Sequence, residues 1–175
     1  MSDIISQLAK EMNYRPNPFA MSLRKNAPRI IGVIVPDIVT HFFASILNGI
    51  ENMAIDNGYF VIITTSHESF EHEKRNIENL VNMRVEGIIA CLSQETTDFS
   101  HISALKDINM PLILFDRVCL TDQFSSVIAD GAQSAQMATQ HLLDNGSKRV
   151  AFIGGANHLD IVKRRKHGYL EALRD

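Results

Sequence analysis

Cysteine is scarce. The chain of 175 residues carries two, Cys91 and Cys119, and no CxxC pair. A disulfide-stapled scaffold is thereby excluded, and each thiol, at or near the end of an expected strand, reads as reduced, which fits a cytoplasmic location. No apolar run approaches the ~18 residues that cross a membrane. The opening MSDIISQLAKEMN lacks the apolar stretch of a secretory signal, so no membrane partner is expected. Catalytic signatures are missing too. There is no GxGxxG and no GxxxxGK[ST], and Gly154-Gly155 reads as a tight turn. HExxH is absent. The run HESFEHEK sets Glu68 and His72 at i, i+4 spacing, but no second cluster accompanies it, so it reads as a solvated polar stretch rather than a metal site. GxSxG is absent, and no Ser or Cys sits in a nucleophile elbow. No catalytic residue, metal or cofactor is expected, and the chain does not read as an enzyme.

What is present is ordinary in bulk and uneven in detail. Apolar residues make up 45% and charged residues 21%, as in soluble globular chains of a length that affords a sizeable core. The net charge of −3 is unevenly distributed: Lys10, Arg15, Arg24, Lys25 and Arg29 face only Asp3 and Glu11 in the first 29 residues, a local +3, which leaves −6 on the rest. A basic arm on an acidic body suggests that the arm alone meets an anion such as nucleic acid.

Residues 3–12 place Ile4, Ile5, Leu8, Ala9 and Met12 on one helical stripe. Tyr14-Arg15-Pro16 breaks it, because proline disfavours helix in the residue before it. Asn17-Pro18 restarts a helix as N-cap and first helical position, and Asn26 and Pro28 end it. From residue 30 the pattern alternates. Strands are expected at 30–35, 59–65, 87–91, 111–115, 126–129 and 149–153. Helices are expected near 43–56, 70–83, 100–108 and 132–144, and from about 163. The main strands are nearly continuous apolar runs, as when helices cover both sheet faces. The fold class is therefore α/β with a doubly wound parallel sheet. Two segments run helix, Asp-Asn-Gly, strand, with Gly58 or Gly146 suited to a left-handed helix end. Either such turns simply favour Asn-Gly, or two similar lobes are present. The chain stops inside an apolar-periodic helix, which points to truncation.

In doubly wound sheets ligands sit beyond the carboxyl ends of strands. Asp37, Ser66-His67, Leu92-Ser93, Asp116-Arg117 and Asp130 fall there. Carboxylates accept from hydroxyls, a guanidinium donates in pairs, and a ring stacks, which suits a polyhydroxylated or heterocyclic ligand. Of Phe42 and Phe43, one is expected in the core and one at the pocket. Asp116 reads equally as a turn or cap residue.

Together YRPNPFAMSLRK, IIGVIVPDIVTHFF, GIENMAIDNGY, LILFDR and KRVAFIGG with RRKHGY resemble the lactose/galactose repressor (LacI/GalR) family of bacterial transcription regulators, over essentially the whole chain. The resemblance implies a sheet of the periplasmic-binding-protein-like (type I) kind, preceded by the remnant of a helix-turn-helix headpiece and a hinge helix. Residues 1–13 would be the last helix of an incomplete headpiece, 14–28 the hinge helix and linker, 29–128 the N-terminal lobe of an effector-binding core, and 129–175 the start of a truncated C-terminal lobe. It further implies a homodimer, operator DNA as partner and a small-molecule effector, a sugar or similar compound. The hinge set would be Tyr14, Arg15, Asn17, Ala20, Leu23, Arg24 and Lys25. Leu23 stands where the family wedges a leucine between base pairs, a contact that unstacks a step and is offset by contacts to bent DNA. Ala20 is small enough to let the helix approach the groove, Arg24 and Lys25 can reach phosphates, and Met21 departs from the arginine of many members. The effector set implied is Asp37, Phe42, Phe43, Asp116 and Arg165, the last being the Arg of an RxxG pattern. The competing reading is a stand-alone sugar-binding module without DNA function.

Overall fold

The computed structural model describes residues 7, 8, 11, 12, 14 and 29–174. Gln7, Leu8 and Glu11 are helical, and Met12 N donates to Leu8 O at 2.9 Å, one turn of the helix expected over 3–12. Of the hinge set, only Tyr14 is described, and it is exposed. Arg15, Asn17, Ala20, Leu23, Arg24 and Lys25 lie outside the described residues.

The core is a parallel sheet with helices on both faces. Its elements are β1 (Ile30–Val35), α1 (His41–Asp56), β2 (Phe60–Thr65), α2 (Phe70–Asn82), β3 (Gly87–Ala90), α3 (Ser100–Asp107), β4 (Leu112–Phe115), β5 (Ser125–Val127), α4 (Gly131–Asp144) and α5 (Asp160–Ala172). All four strand pairings are parallel, in the order β2-β1-β3-β4-β5. Ile30, Ile34, Ile88, Ala90, Leu112 and Leu114 point to one face and bury Ile77 and Leu80 of α2 with Ile102 and Leu105 of α3. Val33, Val35, Cys91 and Phe115 point to the other and pack on Phe43 and Leu47 of α1. The period of two along each strand thus divides the apolar runs between two helical layers.

One expected strand does not form. Residues 149–153 have no ladder partner, and Ile153 is 96% exposed. A strand is defined by its neighbour, and an apolar run without one stays irregular. The last helix begins at Asp160, three residues earlier than expected.

Four helix ends close alike, three of them ahead of a strand. Gly58, Arg84, Asn109 and Gly146 all have positive φ (73°, 56°, 53° and 88°). Each N–H donates three residues back, and the next N–H donates five back: Gly58 to Ile55 and Tyr59 to Ala54, Arg84 to Val81 and Val85 to Leu80, Asn109 to Lys106 and Met110 to Leu105, Gly146 to Leu143 and Ser147 to Leu142. This paired bond is the Schellman closure of a helix.

Candidate functional site

The carboxyl ends of the strands form one rim of a cavity of about 610 Å³, within the range of small-molecule sites. Phe42, Ile46 and Ile50 of α1 make one wall. Ile89, Ile113, Phe115 and Val127 of the sheet make the floor. Gly131 and Ser134 of α4, with Ile161, Arg164 and Arg165 of α5, close the far side. Asp116 stands at the rim.

Of the five candidate effector residues, the cavity brings together Phe42, Asp116 and Arg165. Asp37 and Phe43 do not line it. Asp37 turns its carboxylate to the chain instead: Oδ1 accepts from Val39 N at 2.9 Å and Thr40 N at 2.8 Å. The Thr40 amide, above all, holds this carboxyl below the usual range, so Asp37 shapes the turn into α1. Phe43 is 5% exposed and packs edge-on to Phe115 at 6.4 Å between centroids. Phe42, 51% exposed, meets Phe43 at 5.1 Å and faces the cavity. One ring serves the core and the other the pocket because consecutive helical positions lie about 100° apart. Asp130 is the N-cap of α4, its Oδ1 accepting from Gln133 N at 3.0 Å.

Asp116 sits at φ 57°, a conformation that costs a non-glycine residue about 1–3 kcal/mol. Among the described residues its side chain has one hydrogen-bond partner, the Cys91 thiol at 4.0 Å. Burial pushes its carboxyl up, against the pull of Arg117 and Arg165. The Cys91 thiol is itself pushed up to about 12 by burial, and so is Cys119. Neither is a thiolate at neutral pH, which removes both as nucleophiles.

The RxxG spacing has a packing reason. A Cβ on Gly168 would stand 1.9 Å from Ala132 O, so only glycine lets α5 cross the first turn of α4 this closely. One turn earlier on the same face, Arg165 passes Gly131, whose own Cβ would meet Arg165 Cγ at 3.4 Å, and reaches the cavity. Arg164 pairs instead with Asp160 one turn back.

The polar stretch HESFEHEK is solvated only in part: His67, Glu71, His72 and Lys74 are exposed, but Glu68 and Glu73 turn inward, and Glu68 precedes α2 instead of sharing its face with His72. Glu68 takes both prongs of Arg117, at 2.6 and 2.9 Å, and accepts from Gln94 N at 2.7 Å. Glu73 is 0% exposed and accepts from Ser93 N, from Thr96 Oγ1 at 2.9 Å and from His101 Nε2 at 2.8 Å. The only sequence signal was an acid in a helix's first turn, which reads equally as a partner of the helix dipole. Among the described residues no group of three or more His, Cys, Asp or Glu is placed to hold a metal ion, and no helix is long and apolar enough to cross a membrane.

Residues 29–175 match the family described as periplasmic binding proteins and sugar binding domain of LacI family. The chain is similar to catabolite control protein A of Priestia megaterium, 32% identical over 173 residues, covering 96% of this chain and 52% of that one. It is similar to the ribose operon repressor of Bacillus subtilis strain 168, 31% identical over 171 residues, with 98% and 50% covered. In structure it is similar to the Cra transcriptional dual regulator of Pseudomonas putida in complex with fructose 1-phosphate, with a TM-score of 0.78 at 27% identity, covering 83% of this chain and 54% of that one. The chain spans about half the length of the curated relatives it matches.

Proposed function

The chain belongs to the family of periplasmic binding proteins and LacI-type sugar-binding domains, and on that premise we propose that it is the effector-sensing part of a DNA-binding transcriptional regulator. Its effector is a sugar or a similar polyhydroxylated small molecule. The observation that carries this reading is the meeting of Phe42, Asp116 and Arg165 around one cavity. The ring offers an apolar face to the ligand, the carboxylate accepts from hydroxyls, and the guanidinium donates in pairs. The apolar floor of Ile89, Ile113, Phe115 and Val127 gives the ligand's apolar faces a surface to cover. The names of the relatives, a ribose operon repressor and a catabolite control protein, support the same class of ligand and the regulatory role.

The output runs through residues 14–28, in a cytoplasmic homodimer on operator DNA. A hinge helix of about nine residues is marginal in water alone. It orders against a second copy and a minor groove, with Leu23 as the wedge and Arg24 and Lys25 on phosphates. Lobe geometry then sets how readily the two hinges meet, which couples ligand to DNA.

The test of sensing is a calorimetric and thermal-shift panel of pentoses, hexoses and their phosphate esters on this chain. One ligand class is expected to bind, and Arg165→Ala and Phe42→Ala are expected to weaken it with the fold retained. Binding that survives both substitutions unchanged refutes the assignment. For the hinge, Leu23→Ala in the full regulator is expected to lower operator affinity and DNA bending, and equal affinity and bend would remove the wedge.

A further inference from the structure

A second cavity, of about 310 Å³, lies between the loop after β3, the segment after β4 and the start of α5, with Thr96, Arg117, Cys119, His158 and Lys163 among its walls. Its rim carries a hydrogen bond between two residues that do not line the first cavity. His158 Nε2 lies 2.7 Å from Gln94 O, 64 residues away in the chain. A carbonyl oxygen only accepts, so the imidazole donates through Nε2. Among the described residues it is the single hydrogen bond joining segment 29–128 to segment 130–174.

The acceptor side is unusually well fixed. Glu73 takes Ser93 N and Thr96 Oγ1, and Glu68 takes Gln94 N. Arg117 holds Glu68 in a two-pronged pair and donates to Leu92 O at 3.2 Å. Two carboxylates and a guanidinium thus pin residues 92, 93, 94 and 96, at the carboxyl end of β3, next to β4, which carries Asp116. A loop already ordered loses little further entropy when it receives a partner. The donor side is the opposite: His158 is exposed and stands in the link between Phe152 and α5, outside any helix or strand.

We propose that His158 and the carbonyl of Gln94 form an interlobe latch, and that the carboxylate-pinned loop 92–96 is its fixed half. The latch holds the α4–α5 segment, with Arg164 and Arg165, against the strand ends. A neutral hydrogen bond of ordinary strength shifts a closed-to-open ratio by about 2- to 10-fold. That is enough to bias a two-state cleft without locking it. His158 is a positioning residue here: it acts on the ligand cavity by setting where α5 lies.

The test uses the ligand-free chain, so its outcome is independent of whether sugar sensing holds. Residual dipolar couplings by NMR report the orientation of α4 and α5 against the sheet, and amide hydrogen exchange reports the opening of segment 158–163. In the parent chain the His158 Nε2 proton is expected to be visible and slowed in exchange. His158→Ala is expected to reorient or broaden α4–α5 and to raise exchange at 158–163 by about 2- to 10-fold, with the amides of Ile34, Ile88 and Leu114 unchanged. His158→Gln keeps a side-chain N–H donor and is expected to restore the parent behaviour in part. Equal orientation and exchange in parent and His158→Ala would overturn the latch. So would an unprotonated Nε2 in the parent, or identical behaviour of the Ala and Gln variants, since packing alone would then explain the contact.

Discussion

Replacing Glu73 by alanine is expected to be among the costliest single changes in this chain. The carboxylate is 0% exposed, and three donors converge on it, from a backbone amide, a hydroxyl and an imidazole. His101 is buried as well, with its side chain 5% exposed, and its other ring nitrogen, Nδ1, has no partner. Glu73→Ala leaves the three donors unsatisfied and opens a cavity beside the His101 ring, which stands edge-on to Phe70 at 5.2 Å. Breaking a buried, hydrogen-bonded charge typically costs about 3–5 kcal/mol. Three orphaned donors at about 1 kcal/mol or more each give the same order. Against a total of about 5–15 kcal/mol, that is a large share of the stability. For a domain of this size it corresponds to a melting point lower by about 6–20 °C.

The assay is urea denaturation followed by circular dichroism, read at the midpoint with the slope checked for constancy. Glu73→Gln keeps the shape and one acceptor oxygen but turns an amide NH2 towards the remaining donors, so about 1–3 kcal/mol is expected. A double-mutant cycle with His101→Ala should return a coupling of about 0.5–3 kcal/mol. A loss below about 1 kcal/mol for Glu73→Ala would refute the reasoning. It would mean that water satisfies the donors, or that the network forms no part of the folded energy balance.

The remaining predictions address packing, pH and strain. Gly168→Ala drives a methyl to 1.9 Å from Ala132 O; α5 must shift off α4, with a loss of about 1–3 kcal/mol in thermal unfolding and weaker ligand binding through Arg165. Asp116 has its carboxyl pushed up by burial, so the neutral form is favoured on folding. That contribution is full below the ordinary aspartate value and is lost as pH rises through the folded one. Asp116→Asn should therefore raise stability at neutral pH and flatten its acid dependence while weakening ligand binding, with both read by pH-dependent melting and calorimetry. Phe43→Ala should cost about 3–5 kcal/mol, whereas Phe42→Ala should change stability little and lower ligand affinity. Arg84→Gly should be neutral to about 1 kcal/mol stabilising, because glycine removes the left-handed penalty at some cost in chain entropy. Gly58→Ala should instead destabilise, since its Cβ also meets Arg29 Nη1 at 2.9 Å. A Gly58→Ala variant as stable as the parent would refute the cap argument.

Most of the sheet was legible because its information is local. IIGVIV, VIITT, GIIA and LILF are apolar on both faces, bounded by turn residues, and spaced by helical stripes. Residues 149–153 carry the same local signal and form no strand, because pairing is not a local property. The pocket was half legible. Strand-end logic pointed to Asp116 and Arg117 alike, but the fold spends Arg117 on Glu68 and leaves Asp116 facing the cavity. Nothing in HESFEHEK distinguishes a solvated run from one whose second and seventh residues are drawn inward. The cause lies 20 to 26 residues on, in loop 92–96, whose backbone amides need acceptors once the strand ends are buried.

Two groups of positive-φ positions serve different purposes, with Arg29 before β1 and Leu120 after β4 in neither group. Gly58, Arg84 and Asn109, at the amino end, and Gly146, after α4, each close a helix with the same pair of bonds. Two of the four use Asp-Asn-Gly and two do not. The shared tripeptide is therefore one of several sequences that make this helix closure, and a repeat of lobes is not needed to explain it. At the carboxyl end, His67, Glu68 and Asp116 also have positive φ, yet none closes a helix. Their conformations aim side chains: Glu68 towards Arg117 and the amide of Gln94, and Asp116 into the cavity rim. Strain at the first end is a cost of turning, removable by glycine. Strain at the second places the groups that pin the loop and line the cavity rim, so relieving it there would trade their placement for stability.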